Sequence, residues 1–389
     1  MKKIWPFSFY FFILAGGASF RPYLVLYYQS LSFTGAQIGL LTGLAPLITV
    51  VCLPLMTGIA DRTNRHRLVM SFSLLVMISG LIVFPFAKSF ILVFGVAILT
   101  AVVFSPVIPL SASATMVMLE NRKELYGRIR LGGTIGFSIA AVIAGSLVQN
   151  FGLKLAFWSA ASFIFIAFLI SQKLVHSEEG SERLPDKGKA RELLKNPHFL
   201  LFLLIGLSSG VSVGVLNSYF FPYMKDLGAK ESTMGLALTV GTIAEIPILF
   251  YVGSFIKRFG AYTVVIFAFA MTGLRFLLFA VAPNAEIVLF VQLLNGFNYP
   301  LLNVAGVTYA DEQAPPGLRA TAQGLFNVAT GGIGAAIGGF LGGPLIESIG
   351  ASGMYLIFSM FIVFVVILVS LVRRILPPEV AREPLPNLV

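Results

Sequence analysis

Four polar side chains interrupt otherwise apolar runs, and their types suit the handling of protons and charge. Glu245 lies in GTIAEIPILF, Arg275 in GLRFLL, and Asn295 and Asn298 in NGFNYP. At the helical rise of 1.5 Å per residue, Glu245 stands 256 − 245 = 11 residues, about 17 Å, from one end of its run. By the same measure Arg275 is 275 − 262 = 13 residues in, about 20 Å, and Asn298 is 310 − 298 = 12, about 18 Å. Such depths reach the middle of a bilayer. A charge there is costly, so it faces a wet cavity or a partner. Glu245 and Arg275 read as functional groups, or else as a structural buried pair.

The chain that must position them is 57% apolar and only 11% charged over 389 residues, with a mean hydropathy of +0.90. A soluble domain carries about a quarter charged residues. The composition is that of an all-α integral membrane protein. No segment alternates with period two, which excludes a barrel. The net charge of +10 reads as basic residues flanking spans rather than as a nucleic-acid surface. Cys52 is alone, and His66, His176 and His198 fall in polar connections, so neither a disulfide framework nor a metal site is expected. No phosphate-binding glycine loop with Lys-Ser/Thr occurs, and no cofactor or enzyme motif is read.

Twelve apolar segments are long enough to span. The run Pro6–Tyr28 is too long for the core of a signal peptide and is expected to be the first. The fourth, Phe90–Leu119, is long enough for part of it to extend beyond the bilayer. The last two are expected at Thr321–Ile346 and Gly353–Leu376. The polar run HSEEGSERLPDKGKARELLKNP divides the chain into residues 1–175, a linker 176–197, residues 198–376 and a tail 377–389. The halves repeat. FSIAAVIAGSLVQNFG (Phe137–Gly152) lies over AAIGGFLGGPLIESIG (Ala335–Gly350) at a shift of 198, pairing Gly136 with Gly334 and Gly145 with Gly343. A shift of 196 pairs Tyr27, Leu31 and Gly39 with Tyr223, Leu227 and Gly235. Six spans followed by six similar spans in the same orientation is the parallel-repeat pattern of a two-bundle transporter.

An even number of spans puts both ends on one side. That side collects 21 of the Lys and Arg residues, and the other has Lys88, Lys154, Lys225 and Lys230. Both termini and the linker are therefore expected in the cytoplasm.

GIADRTNRHRL (Gly58–Leu68) resembles the loop G-x-x-x-D-R-x-G-R-[KR] of the major facilitator superfamily, with Gly58, Asp61, Arg62 and Arg65 matching. Asn64 replaces a glycine, and His66 stands where Arg or Lys is usual. The resemblance implies that Asp61 helps lock the outward-facing state; the plainer reading is a solvated basic turn that sets topology. YGRIRLGGTIGF (Tyr126–Phe137) is similar to a stretch of lactose permease and of the 3-phenylpropionate transporters. The resemblance implies a substrate role for Arg130, which otherwise snorkels to the surface. Arg275 and Pro300 stand where lactose permease has a helix-nine arginine and a helix-ten proline. Asn295 and Asn298 replace its proton-site residues, and the A-E-I-P around Glu245 is more similar to the 3-phenylpropionate and nucleoside symporters. That moves the proton-carrier role onto Glu245. Glu120 loosely resembles a helix-four acid. Arg21 reads as a contact for an anionic solute or as a lipid-facing anchor. The glycines Gly132, Gly136, Gly334, Gly338 and Gly342 read as helix-packing positions.

The expectation is a twelve-helix, two-bundle, monomeric transporter in a bacterial inner membrane. It moves a small organic solute by alternating access with protons and binds no nucleic acid. The alternatives are a proton-driven exporter of amphipathic compounds and a non-transporting assembly factor on the same fold. The topology is checked with single cysteines in a Cys52→Ser background. Gly188→Cys should resist an impermeant thiol reagent added outside intact cells, and Ala229→Cys should react.

Overall fold

The computed structural model describes residues 4–120, 122, 125–175, 193–315 and 317–376. Most of the linker (176–192) and the tail (377–389) lie outside the described residues. Ten helical spans run α1 (Ile4–Ser30), α2 (Gly35–Thr63), α3 (His66–Phe86), α4 (Phe90–Leu119), α5 (Tyr126–Phe151), α6 (Lys154–Ser171), α7 (Pro197–Asp226), α8 (Glu231–Phe259), α9 (Ala261–Val281) and α10 (Ala285–Gln313). The next helical stretch, Arg319–Ile375, is too long for one crossing. Gly350 breaks it at φ 74°, ψ 171°, a backbone that glycine adopts readily, and yields α11 (319–349) and α12 (351–375). The fourth span keeps its full length by bending at Ser105 and Pro106.

Polar side chains mark where helices start and stop. Thr34 accepts the Gln37 N–H while Gln37 accepts from the Thr34 backbone, a reciprocal cap on α2. Asn64 closes α2 in the left-handed conformation (φ 51°, ψ 31°), taking the role that glycine has in similar loops. Asn196 caps α7 and also donates to Gln313 at 2.8 Å. Large apolar side chains such as Phe72, Phe165 and Phe364 stand exposed on the outside, as a hydrocarbon solvent allows.

The internal repeat is visible as repeated contacts. In the first half Tyr27 of α1 donates to the carbonyls of Phe84 and Ala87 at the end of α3 (3.1 and 3.2 Å). In the second half its counterpart Tyr223 of α7 donates to the carbonyl of Phe279 in α9 (2.6 Å). Gly136 of α5 lies against the carbonyl of Phe11 in α1, and Gly334 of α11 lies against that of Leu207 in α7. Phe11 and Leu207 are themselves 196 residues apart. Within each half, the first helix packs on the fifth, the third on the sixth, and the second on the fourth.

Across the halves, α2 packs on α11 and α8 on α5. These seams are tight at the end remote from the termini. Gly35, Gly39 and Gly43 of α2 meet the backbone of Gly343 and the backbone and ring of Phe340. Gly235 of α8 meets the carbonyl of Ala141, and Gly145 meets the backbone of Glu231 and Ser232. Glu347 of α11 accepts the Gly35 N–H at 2.7 Å, and Gln149, its repeat counterpart on α5, accepts the Ser232 N–H at 3.4 Å. Each half thus takes up one of the N–H groups left unpaired at the start of the other's second helix. Tyr219 of α7 donates to the Gly339 carbonyl (2.6 Å) and lies 3.0 Å from the Thr42 hydroxyl of α2. Tyr23 of α1 meets Phe221 of α7 edge-on at 4.8 Å. At the termini end the four glycines Gly58, Gly127, Gly253 and Gly324 face open space. The halves are closed at the far end, while at the termini end the 319–327 segment of α11 packs on α7 and α10 of its own half.

A side chain at Gly343 would collide with the Gly35 carbonyl. Gly343→Leu should disfavour the far-end closure by about 1–3 kcal/mol. Spin labels at Lys88 and Glu286, on far-end loops of opposite halves, should report longer separations in that variant, with the protein still folded in membranes.

Candidate substrate and coupling site

The chemistry-bearing residues of the second half meet around Asn295. In α10 the helix tightens into a 3-10 turn at Gln292–Leu294. In that geometry side chains three apart eclipse one another, which puts Gln292 and Asn295 on the same side. Both face α9, where Arg275 is 4% exposed. Its Nη1 donates to Asn295 Oδ1 at 2.6 Å, and its Nη2 donates to Gln292 Oε1. The Asn295 amide Nδ2 points the other way, to Glu245 Oε1 on α8 at 2.6 Å and to the Gly241 carbonyl at 3.2 Å. Glu245 lies 14 residues from either end of its helix (245 − 231 and 259 − 245). Pro247, two residues on, has no N–H and leaves the carbonyl one turn back without its helical donor.

The result is a row: carboxylate, amide, guanidinium, amide. Asn295 turns its acceptor to the cation and its donor to the anion, so the opposite charges interact without touching. Phe279 lies 5.2 Å beneath the Arg275 guanidinium. Tyr355 of α12 packs edge-on against Phe276 and Phe279 at 5.1 and 5.3 Å and is close enough to feel the arginine's charge. Tyr223, Phe276, Phe279 and Tyr355 form an aromatic backing behind the cation.

Asn298 does not join the row. It is 5% exposed, and neither side-chain atom has a partner among the described residues. Tyr299 and Asn303 take its place. They follow Asn295 at one-turn intervals on one face of α10. Tyr299 sits deep in the protein yet is 51% exposed, within reach of the charges of both Glu245 and Arg130. Arg130 of α5 is exposed and lies over the Tyr126 ring at 5.9 Å. Tyr126 in turn meets Tyr10 of α1, their hydroxyls 3.4 Å apart. Glu245 is half-buried and Tyr299, Asn303 and Arg130 are exposed, so groups of both halves stand accessible around the middle of α10.

Arg21 stands in a 3-10 turn of α1 (Arg21–Tyr23), over the Phe104 ring of α4 at 5.2 Å. Its side chain is exposed, with that ring as its neighbour. Glu120 ends α4 at φ 51°, exposed and apart from the row. In the turn after α2, Asp61 pairs with His66 Nε2 at 2.8 Å, while Arg62 and Arg65 are exposed. The acid's hydrogen-bond partner is thus within its own turn. Sequence reasoning missed Gln292 and Tyr299. Their signals were their spacing from Asn295, three residues before it and four after.

With this geometry in hand, comparison with known proteins becomes informative. The family model described as "MFS_1 like family" matches residues 4–357. The chain belongs to that family. It is 27% identical over 376 residues to the maltose permease of Geobacillus stearothermophilus, covering 96% of this chain and 95% of the permease. It is 25% identical over 374 residues to the xanthosine permease of Escherichia coli (strain K12), covering 90% and 88%. Among solved structures, the nucleoside transporter NupG superposes with a TM-score of 0.84 at 20% identity, covering 96% of this chain and 99% of that one. The MFS_1 like chain is a multi-span membrane transporter with the major facilitator fold and is not an enzyme.

Asn295→Leu should leave Glu245 without its side-chain partner and Arg275 with Gln292 alone, and lower stability by about 1–3 kcal/mol. Asn298→Leu, which breaks no pair, should cost less. Thermal unfolding of the detergent-purified variants distinguishes the two.

Proposed function

We propose that this MFS_1 like chain is a proton-coupled symporter that imports a small polar organic solute across a bacterial inner membrane, with both termini in the cytoplasm. The reading of orientation rests on the excess of Lys and Arg at the termini end. On that orientation the far-end closure faces the outside.

The observation that carries the proposal is the row Glu245–Asn295–Arg275–Gln292 at mid-span, beside accessible groups of both halves. Glu245 is the proton carrier: it has one polar neighbour bridging to a cation and is only half-buried. Protonation removes the anion that Asn295 connects to Arg275, so the charge balance between α8, α9 and α10 changes. Tyr299 and Arg130 lie where a solute between the halves would touch both. The solute thereby sits against the helix that carries the coupling amide, and binding and proton load act on the same element. Asp61 and its neighbours Gly58, Arg62 and Arg65 form the gate turn, which engages the second half when the cytoplasmic side closes. The relatives named for maltose and xanthosine support a polar solute of that size class.

Uptake into membrane vesicles is measured with a panel of maltose, xanthosine, uridine and benzoate. Glu245→Gln should abolish accumulation against a gradient of the solute that wild type takes up. It should preserve exchange at equal concentrations, since exchange needs no net proton movement. Accumulation by Glu245→Gln would remove the proton role. Loss of exchange with folding intact would make Glu245 a solute ligand instead.

A further inference from the structure

Three charges lie well inside the spans: Glu245, Arg275 and Arg21. Glu245 and Arg275 are joined through Asn295, and Arg275 has Gln292 as well. Arg21 differs. It lies 21 − 4 = 17 residues from the start of α1 and 30 − 21 = 9 from its end. The ion pair found within 4.0 Å among the described residues is His66–Asp61, and Arg21 has no carboxylate or amide partner there. Its neighbour is the Phe104 ring. A membrane-embedded cation without a protein counter-charge is costly, and charges kept in such places mark solute or ion pathways.

The surroundings suit a ligand. A guanidinium resting over an aromatic ring keeps its in-plane N–H donors free, and those donors form the fork that fits two oxygens of one anionic group. The backbone one turn earlier leaves room: a side chain built on Gly17 would meet Arg21 Nε at 3.9 Å and nothing nearer. Arg21 also lies two residues before Tyr23, whose contact with Phe221 seals α1 against α7. Arg21 is therefore beside the contact between α1 and α7 that must part when the other side opens. A group bound there can be reached from either side in turn, as alternating access requires.

We propose that Arg21 binds an anionic group on the transported solute, a carboxylate or a phosphate. The solute thus carries its negative charge toward the outer seal, while its remainder extends toward Tyr299, 14 residues from either end of α10 (299 − 285 and 313 − 299). This rests on the transporter reading above but not on the proton role of Glu245.

The test uses matched probes on the purified full-length protein: benzoate against benzamide, nicotinate against nicotinamide, glucuronate against glucose, and uridine 5′-monophosphate against uridine. At least one anion should raise the melting temperature of wild type where its neutral partner does not. The first three pairs report a carboxylate preference and the last a phosphate preference. Arg21→Gln should weaken that anion's binding by about tenfold or more. Arg21→Lys should keep the preference for the anion, which separates loss of charge from loss of fold. A panel with no anion-selective stabilisation overturns the proposal. So does a neutral solute taken up with the same KM by wild type and Arg21→Gln. Failure of the Glu245→Gln prediction alone leaves the Arg21 result standing, because binding in detergent needs no proton gradient.

Discussion

One amide, that of Asn295, sits between the two full charges that the described residues of the second half place at mid-span, Glu245 and Arg275. A direct ion pair between Glu245 and Arg275 would be held by mutual attraction in a low-dielectric setting, and breaking it would be expensive. Asn295 prevents that outcome. It satisfies each charge with a hydrogen bond while keeping them apart, so either end of the row can change state without leaving the other wholly unpaired. Gln292 strengthens the arrangement by holding the guanidinium from the same helix. A carrier that must cycle needs charges that are stable in the membrane and still exchangeable, and a bridging amide meets both conditions.

The frame around this row is duplicated, but the row is not. The tyrosine bonds of Tyr27 and Tyr223, the glycine seats of Gly136 and Gly334, and the cross-half acceptors Gln149 and Glu347 all occur once per half. At the shift of 196, Glu245 falls on Thr49 (245 − 196), which spends its hydroxyl on its own helix through the Ala45 carbonyl. The first half contributes other groups: Arg130 on a tyrosine ring and Arg21 on a phenylalanine ring. Symmetry therefore accounts for the shared frame of the halves. The departures from symmetry place the Glu245–Asn295–Arg275–Gln292 row on one half and the ring-stacked Arg21 and Arg130 on the other.

The frame was legible in the sequence because it is written in long-period signals. Apolar runs of span length, a shift near 196–198 and glycines four apart each survive without knowledge of side-chain direction. Gly350 separated two spans as the hydropathy suggested. Glu245, Arg275 and Asn295 were legible because polar residues stand out against apolar neighbours. Asn298 stood out equally and turned into the protein, since one residue on a helix rotates the side chain by about 100°. Gln292 was hidden because its alignment with Asn295 depends on a 3-10 turn in an otherwise α-helical run. Tyr299 was hidden because tyrosines are also frequent in packed cores, and only its 51% exposure at depth sets it apart from fully buried rings such as Tyr219 or Tyr355.

The far-end closure explains how so small a chemical event can move so much protein. Its α2–α11 and α5–α8 seams are made largely of glycines in close contact and a few hydrogen bonds, among them Glu347 to Gly35, Gln149 to Ser232 and Thr239 to the Ser138 carbonyl. A neutral hydrogen bond contributes about 0.5–1.5 kcal/mol net, and one to a charged group about 1.5–3. Moving a two-state equilibrium from 1:99 to 99:1 takes about 5.5 kcal/mol of differential binding. A handful of such bonds is therefore of the same size as the differential binding that shifts such an equilibrium. Had the seams been built from interlocked large side chains, each opening would have cost a cavity for every knob withdrawn. Small residues let the halves approach closely enough to seal and separate without leaving holes, which keeps the closed state within reach of the ligands that must undo it.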